Sequence, residues 1–90
     1  MKPPILIVED EDKLRRVIEL QLSSAGFEVI GAASAEDGIK LSDRAGLILT
    51  DLLLPGMTGI EMIQALRRQS STTPVIVMTA VGTVENAVEA

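Results

Sequence analysis

The 90-residue sequence carries 13 acidic against 8 basic side chains, a net charge of −5, and no Cys or His. That inventory excludes disulfides, Cys/His zinc sites and every thiol or imidazole mechanism, and it leaves oxygen as the donor for any metal. With no basic stripe, direct nucleic-acid binding by this segment is not expected. A hydrophobic content of 47% is too high for a disordered chain, and the length suits one domain over residues 1–90.

In chain order, Met1-Lys2-Pro3-Pro4 leads into Ile5-Leu6-Ile7-Val8. This run is too short for a signal peptide or a membrane span, so a cytoplasmic protein is expected. Its unbroken apolar character predicts a strand buried on both faces. Glu9, Asp10, Glu11 and Asp12 follow, then Leu14, Val17, Ile18, Leu22 and Ala25 at helical spacing, with Gly26 as a stop. The mixed stretch Glu28-Val29-Ile30-Gly31 suits an edge strand. Ser34 and Asp37 stand at capping-box spacing, with Asp in place of the usual Glu or Gln, before a short helix through Ile39 and Leu41.

Leu47-Ile48-Leu49-Thr50 is a second buried-strand pattern, followed by Asp51 and the turn-forming Pro55-Gly56-Met57-Thr58-Gly59. Ile60, Ile63 and Leu66 predict a third helix, with Arg67 and Arg68 as a solvated face that suits its C-terminal dipole. Met57, Met62 and Met78 read as packing residues. Pro74 opens Val75-Ile76-Val77-Met78, Thr79 and Ala80 come next, and residues 83–90 begin a fourth helix. The resulting βαβαβαβα order predicts an α/β fold, a parallel sheet with helices on both faces.

Ligands of such sheets bind beyond the carboxyl ends of the strands. Those ends carry Glu9 to Asp12, then Asp51, then Thr79 and Ala80. Carboxylates gathered on one rim repel and stay ionised only if solvated or bridged by a cation. Mg²⁺, an oxygen-seeking ion that keeps several waters, suits that rim and phosphoryl transfer at it. Asp51 would be the carboxylate nucleophile and Thr79 a hydrogen-bond donor to the transferred group. Each residue also has a plain structural explanation. The acids would favour a helix N-terminus, with Asp12 as its N-cap. Asp51 would be a turn former and Thr79 an ordinary strand residue. Separate structural causes do not explain why acid, acid and hydroxyl recur at three strand ends.

Ile5-Leu6-Ile7-Val8-Glu9-Asp10-Glu11, the segment Leu49-Thr50-Asp51-Leu52-Leu53-Leu54-Pro55-Gly56-Met57-Thr58-Gly59, and Val75-Ile76-Val77-Met78-Thr79-Ala80 together resemble the signature segments of response-regulator receiver domains. The resemblance implies a doubly wound, flavodoxin-like sheet of order 2-1-3-4-5. It implies Asp51 as phosphoacceptor, Asp10 as direct Mg²⁺ ligand and Glu9 as its acidic neighbour acting through water. It also implies the backbone carbonyl of Leu53 as a further Mg²⁺ ligand, and Thr79 as the switch hydroxyl with the small Ala80 beside it. The phosphoryl donor would be a phosphohistidine on a sensor histidine kinase. Residues 81–90 look most like receivers of enhancer-binding transcriptional activators.

The family pattern continues into a fifth strand and helix of roughly 25–30 residues, including a Lys that contacts the phosphoryl group. The sequence stops before them, so a receiver fold lacking those elements is expected, with self-association through an uncovered strand-four edge. The alternative function is an oligomerisation or interaction fragment without phosphotransfer. Enzyme readings are weaker. An aspartyl phosphatase often carries a second Asp two residues after its nucleophile, where this chain has Leu53. A dinucleotide enzyme would place glycines, not acids, after its first strand.

Overall fold

The computed structural model describes residues 3–78. Its elements are β1 (Ile5–Val8), α1 (Asp12–Ser24), β2 (Val29–Ala32), α2 (Ala35–Leu41), a 3-10 turn (Ser42–Arg44), β3 (Leu47–Asp51), α3 (Gly59–Arg68) and β4 (Val75–Met78). The four strands form one sheet in the order β2-β1-β3-β4, every pairing parallel. This is the expected doubly wound α/β architecture. β1 lies at its centre, and all four of its residues are buried, as a continuous apolar run requires.

The pleat assigns the helices to faces. A Cβ added at Gly38 in α2 would meet the Val8 side chain at 2.8 Å and Met62 of α3 at 3.2 Å. One added at Gly31, the register partner of Ile7, would meet Arg15 and Glu19 of α1. Because Ile7 and Val8 point to opposite faces, α2 and α3 cover one side of the sheet and α1 the other. The core on the α2/α3 side gathers Leu6, Val8, Ile48, Met62 and Leu66, all with no solvent exposure, around Ala32, Ala35 and Leu54.

Several expectations need correction. β2 starts one residue later than the pattern suggested. α1 buries no residue completely, and Leu14, Val17 and Leu20 are exposed, so its apolar stripe is not a core stripe among the described residues. On α3 the buried positions are Gly59, Met62, Ala65 and Leu66, while Ile60 is exposed, so the stripe is rotated from the predicted one. The N-cap of α1 is Glu11, without a side-chain cap bond, and Asp12 instead pairs with Arg15.

Ser34 does cap α2, through Asp37 N–H. The complete capping box lies elsewhere, at Thr58 and Glu61 of α3. Arg67 and Arg68 are exposed, as expected, and Arg67 also clamps the following loop, donating to the carbonyls of Ser71 and Thr73 at 2.9 and 3.1 Å. β4 is partly exposed at Ile76 and Val77 instead of buried on both faces. The predicted fourth helix, Thr79 and Ala80 lie outside the described residues; β4, whose edge was expected to self-associate, is the outer strand of the described sheet.

α1 and α3 close with the same device. Gly26 N–H bonds Ser23 O and Phe27 N–H bonds Leu22 O, while Ser70 N–H bonds Arg67 O and Ser71 N–H bonds Leu66 O. Each is a Schellman motif with its pivot in the left-handed region, Gly26 at φ 97° and Ser70 at φ 64°. Only the second pivot carries a Cβ. Ser70→Gly is therefore expected to raise stability by about 0.5 kcal/mol, and Gly26→Ala, whose Cβ would meet nothing within 4 Å, to lower it by about 1–2 kcal/mol through backbone strain alone. Denaturant melts of the two variants check the opposite signs.

Candidate functional site

The chemistry-bearing end of the sheet follows from register. Val8 pairs with Thr50, so the residues that succeed them, Glu9 and Asp51, stand side by side at the carboxyl ends of β1 and β3. Glu9 is 3% exposed and Asp51 4% exposed, whereas the adjacent Asp10 is solvent-exposed. One carboxylate oxygen from each of Glu9, Asp10 and Asp51 lies within 4.8 Å of the others. Of the acids expected on this rim, Glu11 and Asp12 do not join the group; they begin α1.

Backbone donors hold the cluster in shape. Glu11 N–H donates to Glu9 Oε2 at 3.0 Å, and Leu53 N–H donates to Asp51 Oδ1 at 3.1 Å. Glu9 N–H bonds Ala32 O at 3.0 Å, and Arg15 Nη1 donates to Glu9 O at 2.7 Å. Asp51 is further fixed where Leu52 N–H reaches Met78 O at 2.8 Å. The turn to α3 comes back against the same strand end, so closely that a Cβ at Gly59 would sit 2.5 Å from Asp51 O. Leu53 has an exposed side chain, leaving its main chain as its contact with the site. Thr79 lies outside the described residues; it directly follows Met78, the register partner of Asp51.

Sequence reasoning missed Arg15 and the two backbone donors. The 3-residue spacing of Asp12 and Arg15 signals their ion pair, but nothing in the sequence signals a guanidinium reaching a carbonyl six positions back.

Two like charges about 5 Å apart repel by about 3 kcal/mol at an effective dielectric near 20. Among the described residues no Lys or Arg pairs with any of the three acids, the one ion pair being Arg15 with Asp12. The strain appears on Glu9, whose carboxyl is pushed up to about 7. Burial is the main cause, and the neighbouring Asp10 and Asp51 add to it, against the Glu11 N–H, which favours the charged form. A divalent cation would relieve the same repulsion. The donors are all hard oxygens, two buried and one open to solvent, which fits an ion that keeps part of its water shell.

Residues 5–90 match the family model of the response regulator receiver domain. The chain belongs to that family. Among curated relatives it is 42% identical over 81 residues to the uncharacterized transcriptional regulatory protein YkoG of Bacillus subtilis, covering 88% of this chain and 36% of that one. It is 42% identical over 80 residues to the transcriptional regulatory protein AfsQ1 of Streptomyces coelicolor, covering 87% and 35%. The chain thus spans about a third of the length of these relatives.

The structure superposes on the chemotaxis protein CheY4 of Vibrio cholerae with a TM-score of 0.82 at 31% identity, covering 99% of this chain and 78% of that one. It superposes on the Francisella response regulator 1452 receiver domain with a TM-score of 0.83 at 27% identity, covering 98% and 74%. The flavodoxin-like receiver fold is therefore shared. Receiver domains are signalling modules of two-component systems and generally bind Mg²⁺ at such an acidic pocket, which the cluster of Glu9, Asp10 and Asp51 fits. No described helix is long and apolar enough to cross a membrane.

Because the folded-state value for Glu9 lies above the ordinary 4.5, the metal-free folded chain holds a proton there that the unfolded chain has released. The associated stability, about 3 kcal/mol, is fully present below pH 4.5 and is lost as pH rises to 7. Glu9→Gln is expected to flatten this decline and to be the more stable protein at pH 8 without metal. Unfolding free energies of both proteins from pH 4.5 to 8, in chelator, check it; parallel profiles would count against the buried, proton-holding Glu9.

Proposed function

We propose that Asp51 accepts a phosphoryl group from a phosphohistidine of a sensor histidine kinase, and that residues 1–90 act as one receiver domain in doing so. An Asp51 oxygen forms the new P–O bond as the P–N bond breaks, and the departing imidazole leaves with the electron pair of that bond. The observation that carries this reading is the convergence of Glu9, Asp10 and Asp51 within 4.8 Å at the ends of two adjacent strands. Asp51 is suited to the nucleophile's place, since it ends β3 and its carboxylate is fixed in rotation by Leu53 N–H.

Glu9, Asp10, Asp51 and the Leu53 carbonyl would hold Mg²⁺, with Glu9 acting largely through water. When bound, the ion neutralises charge on the phosphoryl oxygens. Thr79, the residue after Met78, would donate its hydroxyl to the phosphorylated Asp51 and bias a two-state surface around β4. Output to transcription is the reading that the transcriptional relatives support, and a cytoplasmic location is proposed with it. The competing idea, an interaction fragment with the receiver shape alone, gives no reason for three mutually repelling acids to be brought together.

Intact mass after incubation with acetyl phosphate and Mg²⁺ tests the assignment. One added phosphoryl group is expected on the parent chain, none on Asp51→Asn, and none on the parent in excess chelator. No adduct on a chain shown by circular dichroism to be folded, or an adduct that survives Asp51→Asn, would remove Asp51 from this role.

A further inference from the structure

We infer that Arg15 is a positioning residue that sets the direction of the Asp10 carboxylate by pinning the Glu9–Asp10 peptide. This role rests on the proposed Mg²⁺ site. Among the described residues, backbone N–H groups of Glu11 and Leu53 hold the carboxylates of Glu9 and Asp51, while no backbone donor holds that of Asp10. Asp10 is also the exposed member of the group. Its orientation therefore depends on the main chain that carries it.

That main chain is clamped at one atom. Arg15 Nη1 donates to Glu9 O at 2.7 Å, and because a peptide unit is planar, holding its oxygen fixes the plane from which Asp10 departs. On the other side of Glu9, its N–H is tied to Ala32 O of β2. The residue that turns the chain from β1 into α1 is thus held at both main-chain polar atoms.

The guanidinium is itself held. Arg15 Nη2 pairs with Asp12 Oδ1 at 2.7 Å, and the Arg15 side chain is 19% exposed against 85% for Asp12. Its stem lies over Gly31, where an added Cβ would come 3.2 Å from Arg15 Cδ and 3.5 Å from Nε. A planar fork with one arm on an exposed carboxylate and the other on a partly buried carbonyl suits orientation of a backbone better than surface charge pairing, which contributes little when exposed.

The test is calorimetric titration of the whole chain with Mg²⁺, in buffer at pH 8, with circular dichroism to establish folding. Arg15→Ala is expected to weaken Mg²⁺ binding by about tenfold, as loss of a residue that supports a metal ligand does. Arg15→Met, which keeps the stem over Gly31, weakens it similarly and carries the test if the Ala variant is unfolded. Arg15→Lys, with one donor left for Glu9 O, recovers part of the loss, and Asp12→Asn changes binding by less than about twofold.

In phosphorylation by acetyl phosphate, the Mg²⁺ concentration giving half the maximal rate rises in step in Arg15→Met. The rate at saturating Mg²⁺ stays within about twofold of the parent, since the nucleophile is untouched. A folded Arg15→Met with parent-like Mg²⁺ affinity would overturn the positioning role alone. A parent chain that binds no Mg²⁺ would overturn the site reading and this role with it.

Discussion

The parallel pairing of β1 with β3 is the constraint on which the rest depends. With Val8 opposite Thr50, Glu9 and Asp51 must emerge together at one end of the sheet. A slip of one residue would turn the apolar side chains of the moved strand to the opposite faces. β1 and β3 are also the strands whose Leu6, Val8 and Ile48 anchor the fully buried core against Met62 and Leu66. The same register thus aligns the core and assembles the acids, and the core's preference for one register holds the acid group together against its own repulsion.

That repulsion is the local conflict in an otherwise consistent structure. Elsewhere, pattern and propensity agree with the fold: continuous apolar runs in the central strands, a capping box at α3, left-handed pivots closing α1 and α3. At the strand ends, two buried carboxylates stand beside a third, and Glu9 relieves the strain by holding its proton to about pH 7. A folded protein keeps such a conflict where another requirement outweighs stability. An acid cluster at the ligand-binding edge of a doubly wound sheet, in a receiver-family chain, has that requirement in cation and phosphoryl binding.

Much of this was legible in residue order. β1 and β3 stand out because strands inside a parallel sheet read as unbroken apolar runs, β4 shows such a run at the sheet's outer edge, and Glu9, Asp10 and Asp51 follow from reading what succeeds the inner strands. What sequence could not supply depends on three-dimensional placement. Periodicity marks an apolar stripe but not its mate, so Leu14 and Val17 look like core residues and are exposed, while Met62 displaces Ile60 from the core. Thr58 and Glu61 have the capping-box spacing, but Thr58 lies within a Pro-Gly turn segment whose composition equally suits a loop. Arg67 and Arg15 illustrate a further limit. Both look like surface charge, and both use their guanidinium on backbone carbonyls, acceptors that every position offers equally.

The two faces of the sheet also divide the labour. α2 and α3 supply the packed core, while α1, which buries no residue fully, contributes Arg15 and the Glu11 N–H to the acid turn. α1 lies on the sheet face of Ile5 and Ile7, with Ile18 and Leu22 half-buried. Arg15 and the Glu11 N–H tie the start of α1 to the Glu9–Asp10 turn. Any cation that prefers the assembled cluster stabilises the folded state in proportion to that preference, and through Arg15 and Glu11 the stabilisation reaches α1. Site occupancy and the order of α1 are in this way coupled by the hydrogen bonds of a single turn.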